Sequence, residues 1–246
     1  TAWRYWNESL TRLKEIINRQ ETFSKLENVK LYIWFGSLIE LEGDYEKALI
    51  VLDEGLEFFR RSIDKEGEAE IFYLKALAVS THGDLKKMSV LLQKSLDIYR
   101  SMNDKPGMTR VLQYLGMVYY YRGEYDKAEV LLVESFEICK KSKDLSGISN
   151  SLLRLGIIAR GKGDLTQALK LFYEYLKQSD QFYDNESISI ALINIAEIYI
   201  RQEDYSFAEN VYEKSLKLLH EMGYKILIAR VFKDLAQFAR YEGNYD

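Results

Sequence analysis

The chain of 246 residues contains one proline, one cysteine and two histidines, and each scarcity excludes something. Cys139 stands alone, so no disulfide can form within the chain. His82 and His220 fall in different segments, one at a turn and one near a helix end. With Cys139 on an apolar helix stripe they give no metal set of ordinary ligand spacing and no base placed beside a nucleophile. Gly161-Lys162-Gly163 lacks the glycine and lysine spacing of a phosphate loop. No catalytic residue, metal or cofactor is therefore expected. No stretch of about 18 apolar residues could span a bilayer, and no basic-then-apolar leader opens the chain; a cytoplasmic location without membrane attachment is the expectation. Lys and Arg number 34 against 38 Asp and Glu, a formal charge of -4. That balance gives no electrostatic reason to expect direct nucleic-acid binding.

What is present is a turn at an interval of 40 residues: Gly43-Asp44-Tyr45, Gly83-Asp84-Leu85, Gly123-Glu124-Tyr125, Gly163-Asp164-Leu165, Glu203-Asp204-Tyr205 and Gly243-Asn244-Tyr245. A fixed period means that each unit meets its neighbours in the same way, and it points to a stack whose working part is an extended surface. Residues 107 to 146 serve as the type unit. Met108, Val111, Leu112, Leu115, Val118 and Tyr119 follow the three-and-four spacing of one helix, A; Ala128, Leu131, Leu132, Ser135, Phe136 and Cys139 follow it in a second, B. The turn glycine suits the left-handed end of helix A, and the acidic residue after it suits the cap of helix B. A second register of aspartates, Asp64, Asp104, Asp144 and Asp184, is expected to cap each following helix A, with Pro106 in a first helical turn where its missing N–H costs nothing. Small residues recur where helices must approach: Gly36, Ala76, Gly116, Gly156, Ala196 and Ala236 in helix A; Ala48, Ala128, Ala168 and Ala208 in helix B, with Met88 the exception.

This pattern resembles the tetratricopeptide repeat. Leu112-x-x-Leu115-Gly116-x-x-Tyr119 matches that family's helix A, as Leu152-x-x-Leu155-Gly156 does, and the turn at Gly123 and Tyr125 and the alanine at 128 match its later positions. The resemblance implies an all-α fold, a right-handed superhelical solenoid of antiparallel helix pairs. The expected division of a single solenoid over 1–246 is helix B of a preceding unit at 1–26, complete repeats at 27–66, 67–106, 107–146, 147–186 and 187–226, and helix A of a sixth unit at 227–246. On this division the chain reads as a piece of a longer protein. The family's ordinary unit is about 34 residues. The longer period here resembles the repeats of STAND signalling ATPases, MalT-like regulators among them, and of scaffolds such as the kinesin light chain.

In this family the A helices line a concave groove, and the resemblance therefore places Tyr73, Gln113, Met117, Tyr120, Arg154, Arg160, Asn194, Glu197, Arg201, Arg230 and Lys233 along it. The groove so assigned is aromatic toward one end and cationic toward the other. Arginine clusters suit carboxylates, phosphates or an acidic protein segment. The family's asparagine pair that holds an extended peptide survives only at Asn194, and no three units supply the set of its carboxylate clamp. The resemblance implies a sensor module that binds a protein, a peptide or a small-molecule inducer, with an intramolecular contact to a nucleotide-binding domain outside this chain. The alternative is a scaffold that holds a partner protein with no ATPase attached.

Overall fold

The computed structural model describes residues 45–80 and 82–242. The expected helix at 1–26, the turn at Gly43, the small residue Gly36 and the last turn at Gly243 lie outside them. Among the described residues ten helices of 16 to 18 residues follow one another, linked by turns of two to four residues. They are α1 (Tyr45–Arg61), α2 (Lys65–Ser80), α3 (Leu85–Met102), α4 (Lys105–Tyr121), α5 (Tyr125–Ser142), α6 (Leu145–Lys162), α7 (Leu165–Gln181), α8 (Asn185–Arg201), α9 (Tyr205–Met222) and α10 (Lys225–Glu242). No strand occurs among the described residues. Even-numbered helices are A helices and odd-numbered ones are B helices. The chain falls into two compact units, 1–83 and 84–246.

In the first unit α1 packs on α2. Phe59 is fully buried, and Glu68 in the first turn of α2 takes hydrogen bonds from Arg60 Nε at 3.1 Å and Lys65 Nζ at 3.0 Å. The second unit, α3 to α10, packs each helix on the next in sequence, so that apolar stripes close into seams. Leu112, Leu132, Ile158, Phe172, Ile193 and Tyr212 are buried there to 1 % exposure or less. Each A helix also touches the next A helix along, α4 with α6, α6 with α8 and α8 with α10.

The caps follow the expected chemistry with one exception. The side chains of Asp104, Asp144 and Asp184 accept from the N–H three residues on, at Gly107, Gly147 and Ser187, and so does Asp64 toward Gly67. Asp84, Asp164 and Asp204 do the same for α3, α7 and α9. Glu124 makes no such cap. Its longer side chain turns instead to Arg122, at 2.8 Å, and Lys127, at 2.6 Å. Gly83, Gly123 and Gly163 adopt φ of 71°, 77° and 85°, and Glu203 holds the equivalent left-handed place at 63°. The junctions between repeats also carry a left-handed residue, at Ile63, Asn103, Lys143, Tyr183 and Gly223. Gly116 and Gly156 sit in close helix contacts, where a Cβ would stand 2.8 Å from Leu132 Cγ and 2.5 Å from Phe172 Cε1. Ala236, expected at such a contact, is exposed in α10.

Candidate functional site

The A-helix face of the second unit carries one connected polar cluster, drawn from α4, α6, α8 and α10. Arg160 lies in the last turn of α6 and is only 8 % exposed. Its Nη1 pairs with Glu197 Oε2 on α8, and Glu197 Oε1 accepts from Arg230 Nη2 on α10. One carboxylate thus joins three successive A helices. Arg201, one turn beyond Glu197, donates from Nη1 to the Arg160 carbonyl at 3.4 Å. Tyr120 of α4 adjoins Arg160, and its ring stacks edge-on with Tyr121 and tilted against Tyr125, at centroid distances of 5.4 and 5.6 Å. Arg160 also stands 5.9 Å from the Phe172 ring. Burial lowers the affinity of Arg160 for its proton, and the like charges of Arg201 and Arg230 act in the same direction. Three guanidiniums gather about the Glu197 carboxylate, and Asp234 of α10, which accepts from the neighbouring Tyr212 hydroxyl, is a second acidic group beside them, so the cluster keeps one positive charge in surplus.

The other residues assigned to the groove divide differently. Tyr73 is buried in α2 of the first unit. Gln113 is buried too, and its amide donates to the Gly147 carbonyl and Ser151 Oγ of α6, both at 3.4 Å; it serves the seam between two A helices. Asn194, 2 % exposed, spends its amide on the Ile190 carbonyl of its own helix at 2.7 Å. Met117 is half-buried on α4. Arg154 stacks its guanidinium 5.5 Å from the Tyr114 ring. Lys233 is exposed on α10. The structure therefore gathers Tyr120, Arg160, Glu197, Arg201 and Arg230, and leaves the remaining six outside that cluster. Tyr114 was not among the expected groove residues. Its signal is the period itself, because Tyr114 and Arg154, like Tyr120 and Arg160, stand 40 residues apart.

Such an arrangement offers guanidiniums and aromatic rings to a bound ligand. Among the described residues no group of three or more His, Cys, Asp or Glu could hold a metal ion, and no described helix is long and apolar enough to cross a membrane. Burial holds the Cys139 thiol above its usual range, which suits packing and not nucleophilic chemistry.

Residues 147–221 and residues 109–142 each match the tetratricopeptide repeat family. No curated protein matches the sequence at a significant level. Solved structures do. BtubC (BKLC) from P. vanneervenii is similar with a TM-score of 0.80 at 18% identity, over 91% of this chain and 93% of that one. A Signal Transduction ATPase with Numerous Domains (STAND) protein with a tetratricopeptide repeat sensor, from Pyrococcus horikoshii, gives 0.73 at 20% identity, over 84% of this chain and 32% of that one. A Rap protein complexed with Competence and Sporulation Factor gives 0.68 at 15% identity, over 92% of this chain and 69% of that one. The fold is accordingly that of a tetratricopeptide-repeat solenoid of antiparallel helix pairs.

Proposed function

We propose that this chain is the recognition segment of a signalling protein, and that the A-helix face of its second unit takes an anionic segment of a partner protein or an anionic inducer. The observation that carries the proposal is the chain of ion pairs Arg160–Glu197–Arg230, with Arg201 beside it, which spans three A helices and keeps a positive surplus. A guanidinium as buried as Arg160 is costly to hold beside two others, and an incoming carboxylate or phosphate would offset that cost with two-pronged, charge-assisted hydrogen bonds. The adjoining Tyr120, Tyr121 and Tyr125 rings offer a wall for an apolar or planar portion of the same ligand. Because the arginines stand on different repeats, an anion bound among them would set the spacing between repeats. It would shift a two-state equilibrium to the extent that it prefers one spacing. The likeness to a STAND protein's repeat sensor and to a Rap protein seen with its factor supports this reading; a nucleotide-binding domain would then read the change out.

The test is fluorescence anisotropy with labelled hexaglutamate, and with hexaglutamine as the neutral control, at low salt. Hexaglutamate should bind, weaken with added salt, and lose about tenfold in affinity in Arg201→Ala/Arg230→Ala, while the helical circular dichroism is unchanged. Parent-like affinity in that double variant refutes the site.

A further inference from the structure

At each junction between repeats the last turns of a B helix meet the first turn of the next A helix through one repeated pair of positions. In the first unit the pair is Phe59 and Gly67, so close that a Cβ on the glycine would stand 2.2 Å from the ring. In the second unit Tyr99 covers Gly107 in the same manner, at 2.4 Å, and Cys139 covers Gly147 at 2.3 Å. The next pair is Ser179 and Ser187. Over these four junctions the side chain at the first position passes from ring to thiol to hydroxyl, with Leu219 and Leu227 standing at the fifth, and a serine does not by itself fill the space of a ring. At this junction, between the end of α7 and the first turns of α6 and α8, the structure holds an open pocket of about 320 Å³.

The pocket has a definite chemistry. Its apolar walls are Tyr175, Phe182 and Leu145. Tyr175 is itself an exception, since the same position carries Ser95, Ser135 and Ser215 in the neighbouring repeats. Between the walls lie serine hydroxyls, Ser146 and Ser187 among them, and one charged group, the carboxylate of Asp184. The Ser187 N–H donates to Asp184 Oδ1 at 3.1 Å as the cap of α8, and the Asp184 carboxylate also lines the pocket. No cationic residue lines the pocket. We propose that this pocket binds a small organic amine in its ammonium form, the ammonium against Asp184 and the serine hydroxyls, and an aromatic or aliphatic body between Tyr175, Phe182 and Leu145. Lone-pair-rich oxygens accept from N–H donors, and aromatic faces attract a cation. The volume is at the small end of the range for small-molecule sites, about 300 Å³ upward. The proposal does not rest on the anionic ligand assigned to the arginine cluster, whose residues are absent from this lining.

The experiment is an amide-detected NMR titration of the 246-residue chain with phenethylamine and with its neutral isostere 2-phenylethanol. The amine should shift resonances at the end of α7 and the start of α8 saturably, and the alcohol should bind at least about tenfold more weakly. Asp184→Asn, which keeps a capping side chain, should erase the preference for the amine. Ser179→Tyr with Ser187→Gly rebuilds the Tyr99–Gly107 pair and should abolish binding of both probes. No saturable shift with the amine, equal binding of amine and alcohol by the parent, or amine binding that survives the rebuilt plug would each overturn the proposal. Should the plugged variant not fold, the Asp184→Asn comparison decides alone.

Discussion

A leucine at Gly156 is the perturbation that the packing most strongly forbids. Gly156 lies in α6 with its Cα hydrogen against Phe172, and a Cβ built there would stand 2.5, 2.8 and 2.9 Å from three carbons of that ring. Phe172 is itself fully buried, so it cannot swing into solvent to make room. For alanine, two terms oppose one another. A helix interior favours alanine over glycine by about 1 kcal/mol, while overpacking a filled seam costs about 1 to 3 kcal/mol. The steric term wins, and Gly156→Ala should lose about 1 kcal/mol. Leucine adds three further carbons with little more propensity to offset them, and Gly156→Leu should lose about 3 kcal/mol. At roughly 2 to 4 °C per kcal/mol for a chain of this size, the melting temperature should fall by about 6 to 12 °C in the leucine variant. Phe172→Ala in the parent opens a cavity and should cost about 3 to 5 kcal/mol. In the Gly156→Leu background it should cost less, because the leucine enters the vacated space, giving a coupling of at least about 1 kcal/mol. Thermal denaturation by circular dichroism reads the parent and all four variants. A leucine variant that melts within about 1 °C of the parent, or costs that simply add, would refute the close approach of α6 and α7 at this point.

At Gly163, where φ is 85° and nothing lies within 4 Å, alanine meets no neighbour and acts through the backbone alone; Gly163→Ala should cost about 1 kcal/mol. The reverse change at Glu203, already left-handed at 63°, should stabilise by about 0.5 to 1 kcal/mol, and urea denaturation of both variants checks the pair of signs. The carboxyl of Glu68 is pushed up by burial, but hydrogen bonds from Lys65 and Arg60 outweigh this and hold it below the usual carboxylate range. A depressed folded pKa contributes stability above the unfolded value, near about 4.3, and that contribution is lost as pH falls through the folded value. Glu68→Gln should therefore flatten the acid limb of the stability profile of the first unit and leave the dependence above neutrality unchanged; an unaltered acid limb would contradict the Glu68 pairing.

Much of the fold was legible because its signals are local. Turn glycines, capping aspartates and the three-and-four apolar spacing each act within a few residues, and they recur in register, so Gly83, Asp104 or Leu112 could be placed without knowing the packing. The left-handed residues Ile63, Asn103, Lys143 and Tyr183 were not legible, because no glycine marks them; the junction imposes that conformation through its hydrogen bonds, as at Asp104 N–H to the Tyr99 carbonyl. Glu124 failed as a cap because lysine and arginine nearby offer its longer side chain better partners. The candidate site was legible only in part. Helical period says which residues share a face, but not how that face is rotated between seam and solvent. Gln113 and Asn194 turned inward to satisfy backbone carbonyls, whereas Arg160 became buried only because Glu197, 37 residues on, supplies its countercharge. The shrinking plug from Phe59 to Ser179 was visible to anyone aligning the repeats, but its meaning required the pocket.

Hydrogen–deuterium exchange of the 246-residue chain with and without hexaglutamate tests the central claim most directly, since it reads position as well as binding. Protection should rise at the end of α6, across Glu197 to Arg201 of α8 and around Arg230 of α10, and the exposed faces of α7 and α9 should be unchanged. Protection confined to the B helices, or spread evenly over the chain, would contradict recognition by the A-helix arginines.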